Sequence, residues 1–288
     1  MRSSIANAST NEKLVRQRAR AATHSSEVSH TSKTKSKNVK SLSLALVISC
    51  LGLSIACGGG ATDPTGASDD GTTGATISVT GGLISGTISD IEPAVAVYRG
   101  IPYAAAPTGQ LRWRPPQTVE PWEGIQAADD YAPGCIQTLR PADHLYGAGA
   151  DSIDEACLYL TVWTAAENAD SQLPVMVWIH GGGLSGGTGA LAGYRRDRLA
   201  TRGVVVVSIN YRLGPFGYLS HPLLTAESEH DSSGNYGTLD QIAALEWVRD
   251  NLAAFGWTPD RVTIFGESAC SWSVNTVQAS PLAQDLFH

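Results

Sequence analysis

The stretch RVTIFGESAC, residues 261–270, decides how the chain is read. RVTIF is a short apolar run with the character of a buried strand. SACSWSVNTVQA, residues 268–279, can open as a helix directly after it. Gly266-Glu267-Ser268-Ala269 lies between the two, and that context turns a weak G-x-S pattern into a candidate nucleophile elbow. Such a turn is strained and lifts the serine hydroxyl clear of the sheet. The amide of Ala269, at the start of the helix, would face the same point and gain from the helix dipole. On these four residues alone, an ordinary strand-to-helix turn with a capping serine explains the pattern as well.

The surroundings follow the same rhythm. PVMVWIH (174–180) and GVVVVSIN (203–210) are unbroken apolar runs, the mark of strands buried on both faces. HGGG, residues 180–183, follows the first of them, and its glycines leave backbone N–H groups free to approach a ligand oxygen. A glycine triplet alone reads as a plain turn; two glycine-rich turns, each after a buried strand, are far more specific. Upstream, TISVTGGLISGTIS (76–89) reads as a hairpin turning at Gly81-Gly82. AVAVYRGIPYA (94–104) and LYLTVW (158–163) read as further strands. In LDQIAALEWVRDNLAAFG (239–256), Ile242, Leu245, Val248, Leu252 and Phe255 fall on one helical face. Thr238 with Gln241 is a candidate capping box and Gly256 a stop. Alternating strands and helices predict an α/β fold with a mostly parallel sheet covered by helices on both faces.

Six blocks, in order, extend the pattern over about 200 residues: YRGIPYAAAPTGQLRWRPPQ (98–117), DEACLYLTVW (154–163), PVMVWIHGGG (174–183), SINYRLGPFGYLSHP (208–222), GNYGTLDQIAALEWVRDNLAAFG (234–256) and PDRVTIFGESA (259–269). Through them the chain resembles the type-B carboxylesterase family. The resemblance implies an α/β-hydrolase fold and cleavage of carboxylic esters by a Ser-Glu/Asp-His triad; no cofactor or metal is expected, because the sequence has no metal-ligand spacing and its glycines do not follow a dinucleotide pattern. Carried over, Ser268 would be the nucleophile, and Gly182, Gly183 and Ala269 would donate the oxyanion-hole amides. Glu267 would be a buried acid beside the site, and Leu184 would line it. The resemblance also implies a disulfide between Cys135 and Cys157 and an ion pair between Arg112 and Glu155 that pins the intervening loop. Two reduced thiols and two separate surface charges are the alternatives.

Two departures bear on activity. Cys270 stands where the family has a second glycine, in G-E-S-A-G; overpacking of that size costs about 1–3 kcal/mol. Ala156 in the DEAC block and Trp257-Thr258 also depart from the pattern. The family places its acid and histidine after the serine, and only 20 residues follow Ser268 here. None of the seven histidines fits by position, so the expectation is an incomplete chain without its triad acid and base. A catalytically inactive, esterase-like binding module or a decayed gene product is the rival reading. In an incomplete chain the strand bearing Ser268 would be an open sheet edge.

The N-terminal part stands apart. Residues 1–40 hold nine Lys and Arg against two Asp and Glu, and the remainder carries a net charge of −14. An acidic body argues against nucleic-acid binding. LSLALVISCLGLSIA (42–56) is an apolar run after a basic stretch, short for a membrane span and suited to a signal peptide. It ends in small residues before Cys57, which resembles a lipoprotein box with Cys57 as the lipidated residue; LVISC, ending at Cys50, is a poorer candidate. The expected organisation is a basic leader with a lipoprotein-type signal at 1–56, a flexible Gly/Thr/Asp-rich tether at 57–75, and the N-terminal part of a carboxylesterase domain at 76–288. The protein would be exported, and either lipid-anchored, secreted or periplasmic. Its partner would be a small-molecule ester.

Overall fold

A computed structural model describes residues 73–141, 144 and 152–288. The basic leader, the apolar run, Cys50, Cys57 and the tether up to residue 72 lie outside the described residues.

The chain opens with a hairpin of β1 (Thr73–Val79) and β2 (Gly82–Ile88), so its first strand starts three residues before the expected domain boundary. Val79 pairs with Gly82, which makes Thr80 and Gly81 the turn, one residue earlier than read from the glycines. Gly81 carries the positive φ, 104°, that such a turn needs. β3 (Ala96–Pro102) and the short β4 (Ile125–Ala127) follow. β5 (Gly134–Cys135) and β6 (Ile153–Asp154) pair with each other alone. Then come β7 (Tyr159–Thr164), β8 (Leu173–Ile179), the short helix α1 (Asp197–Ala200) and β9 (Val205–Ile209). Helices α2 (Gly214–Tyr218), α3 (Pro222–Glu227) and α4 (Tyr236–Asp250) lead to β10 (Trp257–Gly266) and α5 (Ala269–Ala279).

The main sheet runs β1-β2-β3-β7-β9-β8-β10, with β4 beside β2. It is mixed. The pairings from β1 through β9 are antiparallel, while β9-β8, β8-β10 and β2-β4 are parallel. The expected parallel character therefore holds for the half that carries the glycine loop and the elbow. There the connections are long crossovers containing helices; β1 and β2 are joined by a tight hairpin, which forces antiparallel pairing.

Successive residues of the central strands go to opposite faces. Val205, Val207 and Ile209 join Val175, Val177 and Ile179 in a core covered by Ile242, Leu245 and Val248 of α4 and Val277 of α5. Val206 points the other way, with Val95, Val97, Trp163 and Ala200. Burial on both faces is what the unbroken valine runs require.

Helix α4 differs from its sequence pattern at both ends. It begins at Tyr236 after Asn235, so Thr238 lies inside the first turn and forms no capping box. Gln241 is buried, and its Nε2 donates to Ser273 Oγ of α5 at 3.2 Å. The helix stops at Asp250 because Asn251 diverts its end: its Nδ2 donates to the Trp247 carbonyl at 2.7 Å, and its Oδ1 accepts from the Thr80 amide at 2.7 Å. Leu252–Phe255 is a separate 3-10 turn, closed by Gly256 at φ 73°.

Candidate active site

The sequence around Ser268 folds into a sharp elbow for steric reasons. A Cβ on Gly266 would lie 3.0 Å from the Ile179 carbonyl oxygen and would overlap the Cβ of Cys270, so strand and helix approach this closely only with glycine there. Two residues later the backbone turns through Ser268 at φ 59° and ψ −123°, a region that non-glycine residues rarely occupy. Conformations of this kind cost about 1–3 kcal/mol and persist where the surrounding structure enforces them. Ser268 immediately precedes α5, yet its side chain makes no capping hydrogen bond and is exposed. A capping role for this serine is thus excluded. Glu267, expected as a buried acid, is exposed. It follows the last residue of β10, which pairs with no strand besides β8 among the described residues.

β8 lies parallel to β10, with Phe265 level with Trp178 and Gly266 level with Ile179. The glycine loop that begins at His180 and the elbow that begins at Glu267 therefore leave the same end of the sheet side by side. Ligand sites of open α/β sheets lie at this carboxyl end. Gly182, Gly183 and Leu184 have φ of 116°, 68° and 57°. Gly182 is buried with no room for a Cβ against the Gly186 carbonyl, while Gly183 is exposed. None of the amides of Gly182, Gly183 and Ala269 donates to a backbone carbonyl among the described residues. The Leu184 carbonyl accepts from the Gly214 amide at 2.7 Å, which anchors the tip of the loop.

Beneath the loop, the His180 carbonyl accepts from Tyr211 Oη at 2.8 Å and from the Cys270 thiol. The residue that departs from the family's glycine is thus fully buried and hydrogen-bonded at the root of the glycine loop. The His180 ring stacks on Tyr211 with centroids 4.5 Å apart, and its Nδ1 donates to the Gly181 carbonyl at 2.9 Å. Burial lowers its pKa to about 4, so it is neutral at pH 7. Burial also pushes the Cys270 thiol up to about 12. Buried and donating to the His180 carbonyl, it is placed as a structural thiol and not as a nucleophile. A thiol reagent such as dithionitrobenzoate at pH 8 should leave Cys270 untouched in the native protein and titrate it fully after denaturation. Rapid native modification mapped to Cys270, and not to Cys50 or Cys57, would contradict this burial.

Sequence and structure comparisons show the family. The carboxylesterase family model matches residues 73–288. The chain belongs to the carboxylesterase family. It is 45% identical over 204 residues to the fumonisin B1 esterase of Sphingopyxis macrogoltabida, covering 71% of this chain and 37% of that protein. To carboxylesterase 1D of Rattus norvegicus it is 44% identical over 203 residues, covering 67% and 34%. Among solved structures, a PNB esterase superposes with a TM-score of 0.64 at 40% identity, covering 74% of this chain and 42% of that one. The Geobacillus stearothermophilus carboxylesterase EST55 gives 0.65 at 38%, with the same coverage. The chain spans little more than a third of the length of the curated relatives it matches.

In this carboxylesterase-family chain, Cys135 and Cys157 form a disulfide with Cα atoms 5.0 Å apart. Arg112 grips Glu155 through two hydrogen bonds, Nε to Oε2 and Nη2 to Oε1, each 2.6 Å. One interaction escaped the sequence reading. Arg212, just after β9, makes three hydrogen bonds to Asp240 of α4, at 3.0, 2.8 and 2.7 Å, with both side chains buried. A cleft of about 550 Å³ lies between residues 110–117 and 224–239 and includes neither Ser268 nor the glycine loop. The strained backbone and the aligned strand ends lie apart from it, at Ser268 and the glycine loop. The cleft includes His230. His221 caps α3 by accepting from the Leu223 amide. His288 bonds the backbone of Val262, about 13 Å along β10 from Gly266.

Proposed function

We propose that the protein is a carboxylic ester hydrolase that works through an acyl-enzyme on Ser268. The observation that carries this reading is the strained, uncapped Ser268 set level with a glycine loop on the adjacent parallel strand. In the proposed reaction the Ser268 oxygen attacks the ester carbonyl carbon and loses its proton to a base. The amides of Gly182, Gly183 and Ala269 receive the negative charge that forms on the carbonyl oxygen. The C–O bond to the alcohol then breaks, the alcohol leaves with a proton, and water hydrolyses the acyl-serine to the free acid. His180 does not supply the base, because its ring is buried, neutral and stacked on Tyr211. His288 does not supply it either, being held at the far end of β10. Leu184, half-buried beside the glycines, favours an apolar acyl or alcohol group. We further propose export directed by residues 1–56, with Cys57 as the lipid attachment point.

Mixing the protein from its whole reading frame with p-nitrophenyl acetate tests the mechanism. A pre-steady-state burst of one nitrophenolate per chain is expected, the signature of a covalent acyl intermediate. Turnover without a burst, together with no acyl-protein after acid quench, would argue against an accumulating acyl-serine. Absence of hydrolysis from acetate through octanoate esters would remove the esterase reading.

A further inference from the structure

The glycine loop is held from outside by a residue that the proposed chemistry does not use. Gln137, two residues after Cys135, pairs its side-chain amide with the backbone of Gly187: the Gly187 N–H donates to Oε1 at 2.7 Å, and Nε2 donates to the Gly187 carbonyl at 2.8 Å. Nε2 also donates to the Cys135 carbonyl at 3.0 Å, so one side chain joins the disulfide-bonded segment to the loop. A Cβ on Gly187 would lie 2.6 Å from His180 Nδ1, and Gly186 closes over Gly182. Residues 186–187 are therefore the backing against which 180–182 rest. The far end of the loop is tied to the same segment by Asn210. Its Oδ1 accepts from Thr188 Oγ1 at 3.0 Å and from the Gly189 amide at 2.8 Å, while its Nδ2 donates to the Pro133 carbonyl at 3.1 Å. The disulfide at Cys135 lies between these two ties.

We propose that Gln137 is a positioning residue for the oxyanion loop, holding Gly182 and Gly183 in line with Ser268 by fixing Gly187 to the disulfide-bonded segment. The assignment rests on the reading of Gly182 and Gly183 as oxyanion donors. Their amides must meet an oxygen that carries charge only in the transition state, so a displaced loop costs turnover more than substrate binding. A misplacement of about 1 Å can cost on the order of 100-fold in rate. Glutamate at this position keeps an acceptor for the Gly187 N–H, but it turns a carboxylate toward two carbonyl oxygens and cannot replace the amide.

Hydrogen exchange and kinetics on Gln137→Ala and Gln137→Glu, in the protein from its whole reading frame, test the proposal. The Gly187 amide should exchange at least about 10-fold faster in Gln137→Ala, because its acceptor is gone. kcat per active serine, counted by exhaustive phosphonate labelling, should fall about 10- to 100-fold with KM within about twofold, and Gln137→Glu should not restore it. The double variant Cys135→Ser/Cys157→Ser should shift both readings in the same direction. Unchanged exchange at Gly187 would overturn the pinning, whatever the protein's activity. Faster exchange with unchanged kcat per active serine would overturn the role in the reaction. A wild-type protein that makes no acyl-serine would instead remove the esterase reading, and the exchange data would still decide whether Gln137 pins the loop.

Discussion

Replacing Ser268 by alanine is expected to abolish ester hydrolysis and phosphonate labelling while leaving the fold as stable as before. The two halves of this expectation have separate causes. Loss of the proposed nucleophile removes the covalent route, and what the proposed oxyanion amides do alone leaves kcat lower by at least about 1,000-fold. Stability should stay within about 0.5 kcal/mol, because the hydroxyl is exposed and caps nothing. Alanine keeps the Cβ and with it the strain at φ 59°. Ser268→Gly supplies the contrast: it should be equally inactive yet more stable by up to about 1 kcal/mol, since glycine enters this region without a Cβ penalty. Measuring urea midpoints and fluorophosphonate labelling of both variants checks the pair. Residual labelling of Ser268→Ala at the wild-type rate would place the reactive serine elsewhere. A glycine variant less stable than wild type would show that the elbow is not strained as drawn.

The elbow and the glycine loop were legible because each is local. Glycine at 266, 182 and 183 answers a steric demand made by atoms a few residues away or on the adjoining strand, and an apolar run before each turn marks its strand. Their adjacency was not legible from periodicity, because β8 and β10 are neighbours with β9 between them in sequence. Order in a parallel sheet is set by long-range pairing, which has no local signature. The antiparallel direction of β1 and β2 follows from the hairpin turn, whereas that of β3 and β7 was not legible, because period-two alternation marks a strand but says nothing about its partner. The disulfide and the Arg112–Glu155 pair came only through family resemblance, since spacing alone does not select partners 22 or 43 residues apart. The partner of Cys270 was beyond reach as well. Reading it as an intruding side chain at a glycine site was sterically sound, but the sequence could not show that the His180 carbonyl would accept its thiol. Helix ends erred where a side chain competed with the backbone, as Asn251 does at the end of α4.

Asp240 carries a signal in its helical spacing. It falls on the same face as Ala244 and Val248, at intervals of four, and both are fully buried. An acid on a buried stripe needs a cation, and Arg212 is the only cation hydrogen-bonded to it among the described residues. Burial works against the Arg212 charge, and Asp240 more than offsets this, holding the guanidinium above its ordinary pKa. Arg212 also lies over the Tyr236 ring, 5.5 Å from its centroid, and its Nη1 has no hydrogen-bond partner among the described residues. Asp240→Ala would therefore strand a buried charge that is already incompletely satisfied. The expected cost is about 3–5 kcal/mol, read as a large fall in urea midpoint, with the cut in active protein following from loss of folded chains. Replacing both partners, Arg212→Met with Asp240→Leu, should recover most of that loss, because the penalty belongs to the unpaired charge and not to the missing attraction. If the single variant costs less than about 1 kcal/mol, water reaches the pair and it is a surface bridge in energetic terms. If the double variant is no better than the single, the pair contributes geometry that apolar side chains cannot replace, such as the bond from the Arg212 amide to Asp240 Oδ2 that fixes the chain after β9.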